Sequence, residues 1–259
     1  MATLKLGTQS VNDIKKGTTN IPSAYLGGYR FSFSSGDTPT YLPDIPFVLN
    51  YNAKQYDATT YTIPMTSGQL NSIDSVCTYQ QSKVVDHSSD GYISITGDSR
   101  FVVSGGTVPL QRDNSESGCT MTIVSKVRTT SGYSILTNRV GSGVNTLNWM
   151  YRCYTDGIAL HGTGMTKYSV STTSNPIIAS VRTSYSNGVT ALVNDWTNSG
   201  STSGEFQYYP KTANGGSMFA DGLTYNDEFW RGDFYWIYMS QEVLTDEQIQ
   251  QVIDYNEYL

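Results

Sequence analysis

The residues able to do chemistry are few and scattered. There are two histidines, His87 and His161. His87 sits in Asp86-His-Ser-Ser-Asp90, which contains the residue types of a hydrolase triad. A Ser–His–Asp triad has no fixed local sequence and needs a shaped oxyanion hole, so a loop histidine is the expectation. Asp227 and Glu228 are adjacent and would point to opposite faces of a strand. Asp254 and Glu257 fall on or just past a terminal helix and are expected in solvent. Arg231-Gly232-Asp233 spells an integrin-type tripeptide, but it abuts a strand, and chance explains it better. Asp221, Asn226, Asp227 and Glu228 are oxygen ligands in one loop, of the kind calcium takes. They lack EF-hand spacing, so an ordinary polar loop competes with a calcium site. No other metal and no cofactor is expected.

Sugar recognition draws on different residues. An aromatic face can stack on a sugar ring beside hydrogen-bonding amides and carboxylates. Trp196 directly follows Asn194-Asp195, which supplies both. Trp230, Tyr225 and Tyr208-Tyr209 also lie near loops. The glycan-site candidates are therefore Trp196, Asp195 and Asn194, then Trp230 and Tyr225. The competing reading places both tryptophans in a core. It is at least as strong for Trp230, which shortly precedes a strand.

Composition narrows the classes. The chain has 259 residues, enough for a large all-β domain and a small extra one. Only 15% are charged, against roughly 25% in an average domain, and 20 are tyrosine. The net charge of −6 and the lack of a basic stripe argue against nucleic acid. Cys77, Cys119 and Cys153 are widely spaced and odd in number, which fits neither a zinc site nor a disulfide scaffold. Cys119 alternates with Met121 and Ile123 and is expected as a small core hydrophobe. The first residues lack the apolar run of a signal peptide, and no run approaches a membrane helix. A protein made in a cytoplasm and not exported by that route is expected.

The elements that must position these residues are mostly strands. Strand-like runs occur at Tyr92–Ile95, Phe101–Val103, Thr120–Val127, Tyr133–Leu136, Asn148–Tyr154, Ile177–Arg182, Val189–Val193, Phe206–Tyr209 and Phe234–Met239. Turn-rich clusters separate them, as in a two-sheet sandwich. Asn187-Gly188 marks a hairpin tip. In the last strand Phe234, Trp236 and Tyr238 alternate with Tyr235, Ile237 and Met239, so both faces are bulky and cover on both sides is predicted. Thr245 and Gln248 then form a capping box, and Leu244 and Ile249 have the spacing of a hydrophobic staple. A helix from about Asp246 to Tyr255 follows, with Ile249, Val252 and Ile253 as its apolar stripe.

This ending resembles the closing strand and helix of laminin-G-like, concanavalin-A-like jelly rolls. Gly232, Phe234, Ile237 and Met239 match the strand, and Val243, Leu244, Thr245, Glu247, Gln248, Ile249 and Gln250 match the helix. Ser240 departs from the usual Tyr. Upstream, Thr120–Val127, Ile177–Arg182 and Val189–Asp195 resemble the family's core strand and central hairpin. The resemblance implies an all-β, two-sheet antiparallel jelly roll. Glucanases of that superfamily carry "E-x-D-x-x-E" on one strand face. This chain has no such spacing, so no enzymatic activity is expected.

At the N-terminus, Leu6–Lys15 aligns with Lys16–Tyr25, and Leu26-Gly-Gly28 begins a third copy, a period of 10 residues. Gly7, Gly17 and Gly27 fall at turns, and each copy reads as one short strand and a turn in a small meander. This repeat resembles segments that open bacteriophage virion proteins, including those of phages of gut Bacteroidales. Phe47–Gly68 resembles a segment of crAss-like phage structural proteins. The domain reading is therefore an N-terminal attachment or oligomerisation segment at 1–33, a Pro-rich linker at 34–46 and a lectin-like jelly roll at 47–259. The expected protein is a virion structural or appendage protein, assembled in a host cytoplasm. Its expected partners are other virion proteins, further copies of itself and a host-surface glycan, with no nucleic acid and no membrane insertion. The alternatives are a secreted bacterial carbohydrate-binding module, a purely architectural virion protein without ligand, and a divergent glycan hydrolase.

Overall fold

The computed structural model describes residues 5–6, 9–10, 14–16, 19–21, 23–26, 29–32, 48–65, 74–103, 120–139, 147–162, 165–184, 188–193, 198–201, 216–221 and 228–258. They fall into two compact units, Met1–Pro43 and Asp44–Glu257. The proposed linker at 34–46, the strand-like run Phe206–Tyr209 and Cys119 lie outside the described residues.

The first unit holds six strands: β1 (Lys5–Leu6), β2 (Gln9–Ser10), β3 (Ile14–Lys16), β4 (Thr19–Ile21), β5 (Ser23–Leu26) and β6 (Tyr29–Ser32). They pair as β1 with β2, β3 with β4, and β5 with β6, in three separate antiparallel sheets. This corrects the reading of one strand per copy in a continuous meander. Each period instead gives one hairpin, and the second and third hairpins straddle the junctions between copies. The residues between them, 7–8, 17–18 and 27–28, contain the three glycines.

The second unit is an all-β sandwich. Its first sheet contains β7 (Leu49–Asn52), β10 (Val84–His87), β11 (Tyr92–Ile95), β13 (Met121–Ser131), β18 (Ile177–Ser184), β19 (Gly188–Val193), β20 (Asn198–Ser201) and β22 (Arg231–Ser240). The order is β10-β11-β22-β13-β18-β19-β20. Strand β7 joins β22 beyond the end of β11, on the same edge. The second sheet contains β8 (Thr62–Ile63), β9 (Ser75–Tyr79), β12 (Arg100–Val103), β14 (Tyr133–Arg139), β15 (Leu147–Tyr154), β16 (Gly157–His161), β17 (Met165–Ser169) and β21 (Gly216–Met218). Its order is β17-β16-β15-β14-β21-β12-β9-β8. All these pairings are antiparallel.

Aromatic packing closes the space between the sheets. Phe219, just past β21, meets Phe101 edge-on at 5.3 Å, Phe234 edge-on at 5.1 Å and Trp230 in a stack at 5.4 Å. Its backbone is left-handed (φ +64°), a costly conformation for a bulky residue, which this packing must offset. Ser125 on β13 and Tyr151 on β15 share a 2.9 Å hydrogen bond across the core. Burial pushes the Tyr151 phenol well up, so it stays neutral and satisfied there.

Strand β22 is buried on both faces, as its bulky residues predict. The strict alternation, however, is broken. Trp236 pairs with Lys126 and Phe234 with Val127, so Tyr235 is an inserted residue, a β-bulge. Phe234, Ile237 and Met239 therefore share the inter-sheet core, while Trp236 and Tyr238 are buried on the outer face. Helix α1 (Asp246–Tyr258) contributes cover there. It starts at the predicted residue and runs three residues beyond Tyr255. Its capping box is formed: Gln248 N donates to Thr245 Oγ1 at 3.2 Å, and Thr245 N to Gln248 Oε1 at 2.9 Å. Leu244, Ile249, Val252 and Ile253 are buried, each stabilising by about 1.5–3 kcal/mol. Thr122 on β13 anchors the connection, donating to the Glu242 carbonyl and accepting from Leu244 N.

Gly232 marks the tightest contact in this strand. At φ +154°, a Cβ there would lie 2.0 Å from the Arg128 carbonyl oxygen and 2.8 Å from the Trp230 ring. Gly232→Ala should therefore destabilise by roughly 3 kcal/mol or more, measured by urea unfolding at neutral pH. A loss below about 1 kcal/mol would mean that β13 and β22 can move apart freely.

Candidate functional site

The second sheet carries a polar cluster on its outer face. In β15, Trp149, Tyr151 and Cys153 enter the core, which turns Met150, Arg152 and Tyr154 the other way. Two further side chains are delivered by the segment after β21. A bridge pairs Ala220 with Phe229, and Asp221 N donates to the Glu228 carbonyl at 3.0 Å. These contacts set Asp221 and Glu228, seven residues apart in sequence, opposite each other. Arg152 Nη2 reaches both carboxylates, forming an ion pair with Asp221 Oδ2 and lying 3.3 Å from Glu228 Oε2. Its Nη1 donates to the Tyr154 hydroxyl at 3.1 Å. Asp221 is fully buried, and its Oδ1 accepts from Ser134 N at 3.0 Å. Lys167 lies 5.0 Å over the Tyr154 ring and is held by Asp156 at 2.8 Å. His161 is half-buried on β16, where it pairs with Met150.

The electrostatics differ from those of a simple salt bridge. The hydrogen bond shared with Asp221, partial burial and the Asp221 charge push the Glu228 carboxyl up to about 7, against the pull of Arg152 and Arg139. Burial, with Arg152 next, pushes His161 down, leaving it neutral at pH 7. The cluster thus combines a fixed guanidinium, a carboxylate, a carboxyl that exchanges its proton near neutrality, a phenol and a neutral imidazole. Two buried atoms, Ser134 Oγ and Arg152 Nε, have no hydrogen-bond partner among the described residues. Such a set can hold a hydroxyl-rich ligand by directional hydrogen bonds.

The sequence candidates fare unevenly. Trp196, Asp195, Asn194 and Tyr225 lie outside the described residues, as do Tyr208, Tyr209, Asn226 and Asp227. Trp230 is corrected. It is 0% exposed, stacks on Phe219 and donates Nε1–H to Thr129 Oγ1 at 3.1 Å, so no ring face is open to a sugar. Asp221 and Glu228, read as loop ligands for calcium, do converge, but on Arg152, whose guanidinium takes the place a cation would fill. Among the described residues no group of three or more His, Cys, Asp or Glu side chains is assembled for a metal. The Arg231-Gly232-Asp233 tripeptide is built into β22. Arg231 pairs with Asp98 at 2.6 Å, and Asp233 with Arg128 at 2.5 Å and Ser94 at 2.7 Å. His87 ends β10 and stacks on Tyr92 at 4.7 Å. Glu257 is exposed as expected, yet tied to Trp236 and Lys126. Cys77 and Cys153 are buried free thiols. Local spacing of the charged residues did not single out Arg152. Its signal was a lone cation inside an apolar strand pattern.

No protein-family model matches this chain, and no curated protein matches it significantly. Solved structures do match in shape. The chain is similar to a Trypanosoma rangeli sialidase solved with sialic acid, at 7% identity and TM-score 0.53, over 83% of this chain and 34% of that one. It also aligns with domain 4 of the arabinanase AbnA from Geobacillus stearothermophilus, solved with arabinotriose, at 12% identity and TM-score 0.46, covering 80% and 98%. A third match is the CBM40 domain of a Ruminococcus gnavus IT-sialidase bound to α2,3-sialyllactose, at 13% identity and TM-score 0.43, covering 52% and 82%. At 7% identity the likeness to the Trypanosoma rangeli sialidase shows a shared β-sandwich fold alone.

The raised Glu228 carboxyl makes stability depend on pH. The folded state holds this proton more tightly than the unfolded chain, where the ordinary value is 4.5. Its stabilising contribution is complete below about pH 4.5 and is lost as pH rises to and past about 7. Glu228→Gln, which cannot ionise, should remove this slope and raise the urea midpoint at pH 8 relative to the unmodified chain. Equal slopes in both proteins would count against the shared proton.

Proposed function

We propose that this chain is a carbohydrate-recognition module that binds its ligand without turning it over. The observation that carries this reading is the Arg152–Asp221–Glu228–Tyr154 cluster. It sets several planar, directional hydrogen-bonding groups on one sandwich face. Sugar hydroxyls both donate and accept, so a guanidinium beside carboxyl groups matches them. Shape and composition agree with the reading: a neutral-polar, tyrosine-rich chain on a sandwich scaffold.

The finer setting we propose is a virion appendage, assembled in a host cytoplasm and displayed for host attachment. It is supported by the decapeptide repeat, whose copies form three like hairpins, and by the resemblance of that repeat to virion protein openings. Two-stranded hairpins are marginal alone, which favours a role in assembly. A purely architectural role without ligand is the competing reading. Many copies on one particle would turn weak contacts into firm attachment.

Glycan titration of the full chain tests the main reading. A monomer should bind no tighter than roughly millimolar, given about 1 kcal/mol per aromatic contact and little more from solvated hydrogen bonds. Tyr154→Phe and Glu228→Gln should each weaken binding about threefold or more without lowering the melting temperature. Trp196→Ala, drawn from the sequence, should do the same if that residue stacks on the ligand. No binding to any member of a broad glycan array would leave the architectural reading. Release of reducing ends, lost on changing Asp221 or Glu228, would make the protein an enzyme. For the setting, deleting residues 1–32 should leave a folded sandwich that no longer oligomerises, by light scattering, or joins the particle. Retained oligomers and incorporation would rule out the assembly role.

A further inference from the structure

A separate cleft of about 220 Å³ opens on the outer face of the first sheet, against the C-terminal end of α1. Lys54, Asp90, Lys126, Tyr235, Trp236 and Glu257 are among the residues that line it. They come from five parts of the chain, and most are fixed before any ligand arrives. Glu257 Oε1 accepts from Trp236 Nε1 at 2.7 Å, its Oε2 from Lys126 Nζ at 2.6 Å, and its carbonyl from Lys54 Nζ at 3.2 Å. Lys126 Nζ also lies 5.0 Å over the Tyr235 ring. Tyr235 leans on Tyr92 at 5.3 Å, and Tyr92 stacks on His87. The bulge in β22 is what brings Tyr235 and Trp236, neighbours in sequence, to line one cleft.

The lining constrains the ligand. The lining holds two lysines and two carboxylates and so carries no net formal charge. A charged ligand finds no net charge complementarity there, whereas hydroxyl groups can bond to lysines and carboxylates alike. The partly exposed Tyr235 phenol adds an apolar edge of the kind a pyranose needs, while Trp236, buried beneath, holds Glu257 in place. The volume falls below the about 300–1,000 Å³ of drug-sized pockets, which suits one sugar unit. From these features we infer that the cleft is a second saccharide subsite, taking a single neutral pyranose unit. It rests on residues distinct from the Arg152 cluster and lies on the other sheet. One chain could therefore engage two glycan strands.

Amide chemical-shift mapping of the full chain, titrated with neutral methyl pyranosides and with methyl glucuronide, tests this. Neutral pyranosides should shift the amides of Gly91, Lys126, Tyr235 and Glu257. Tyr235→Ala and Asp90→Asn should each weaken that response about threefold or more, without moving the response at Arg152 and Glu228. Methyl glucuronide should bind the cleft more weakly than its neutral counterpart. If only the Arg152 and Glu228 amides respond, the cleft proposal fails and the recognition reading stands. If only the cleft responds, the reverse holds. Equal or tighter binding of the glucuronide at the cleft would overturn the neutral class. Asp90→Asn guards against misfolding of the tyrosine variant, because Asp90 is exposed and in no core contact.

Discussion

Between Gly232 and Ser240 strand β22 has one side chain, Tyr235, that is not buried, so nearly every residue along it needs a packing layer on its own side. The inner layer is the aromatic core around Phe219. The outer layer includes α1, whose position is set by the Thr122 hydroxyl and the capping box. Along its edges, β13 pairs with the full length of β22, while β11 and β7 share the other edge. Hydrophobic burial on both faces and backbone pairing on both edges make this strand the structural centre of the sandwich.

That arrangement leaves the two outer faces with different surfaces. On the first sheet the helix and the bulge define a preformed polar cleft. On the second sheet, Arg152 interrupts the outer face of β15 and gathers Asp221, Glu228 and Tyr154. A buried ion pair of this kind is a poor source of net stability, because desolvation offsets much of the attraction. A hydrophobic set of similar volume would stabilise the sheet as well or better. The Glu228 carboxyl is pushed up by the hydrogen bond it shares with Asp221, by burial and by the Asp221 charge. The low content of charged residues elsewhere leaves these groups standing out against a neutral-polar surface.

Local features were legible because their physics is local. The capping box needs only residues three apart, and it forms as read. Strands β11, β12, β13, β14, β15, β18, β19 and β22 were read within a few residues of their ends, because alternation and bulky β-formers mark them. Strands such as β10 and β16 were not read. Strand β10 is a four-residue edge strand with no buried residue, and β16 is five residues opened by a glycine.

The candidate site was legible only in fragments. Asp221 and Glu228 stood out as oxygen ligands, yet nothing in the chain's order joins them to Arg152, because a β-bridge and a distant strand make that contact. Trp230 looked available for a sugar because it lies near a loop, whereas its stack on Phe219 places it in the core, the reading that its closeness to a strand favoured. Alternation in β22 predicted two covered faces, but not the one-residue bulge that reassigns its side chains between them. Side-chain periodicity and capping are properties of neighbouring residues and can be read in order along a chain. Ion pairs, bulges and ring stacks join residues far apart, and they exist only once two sheets have packed.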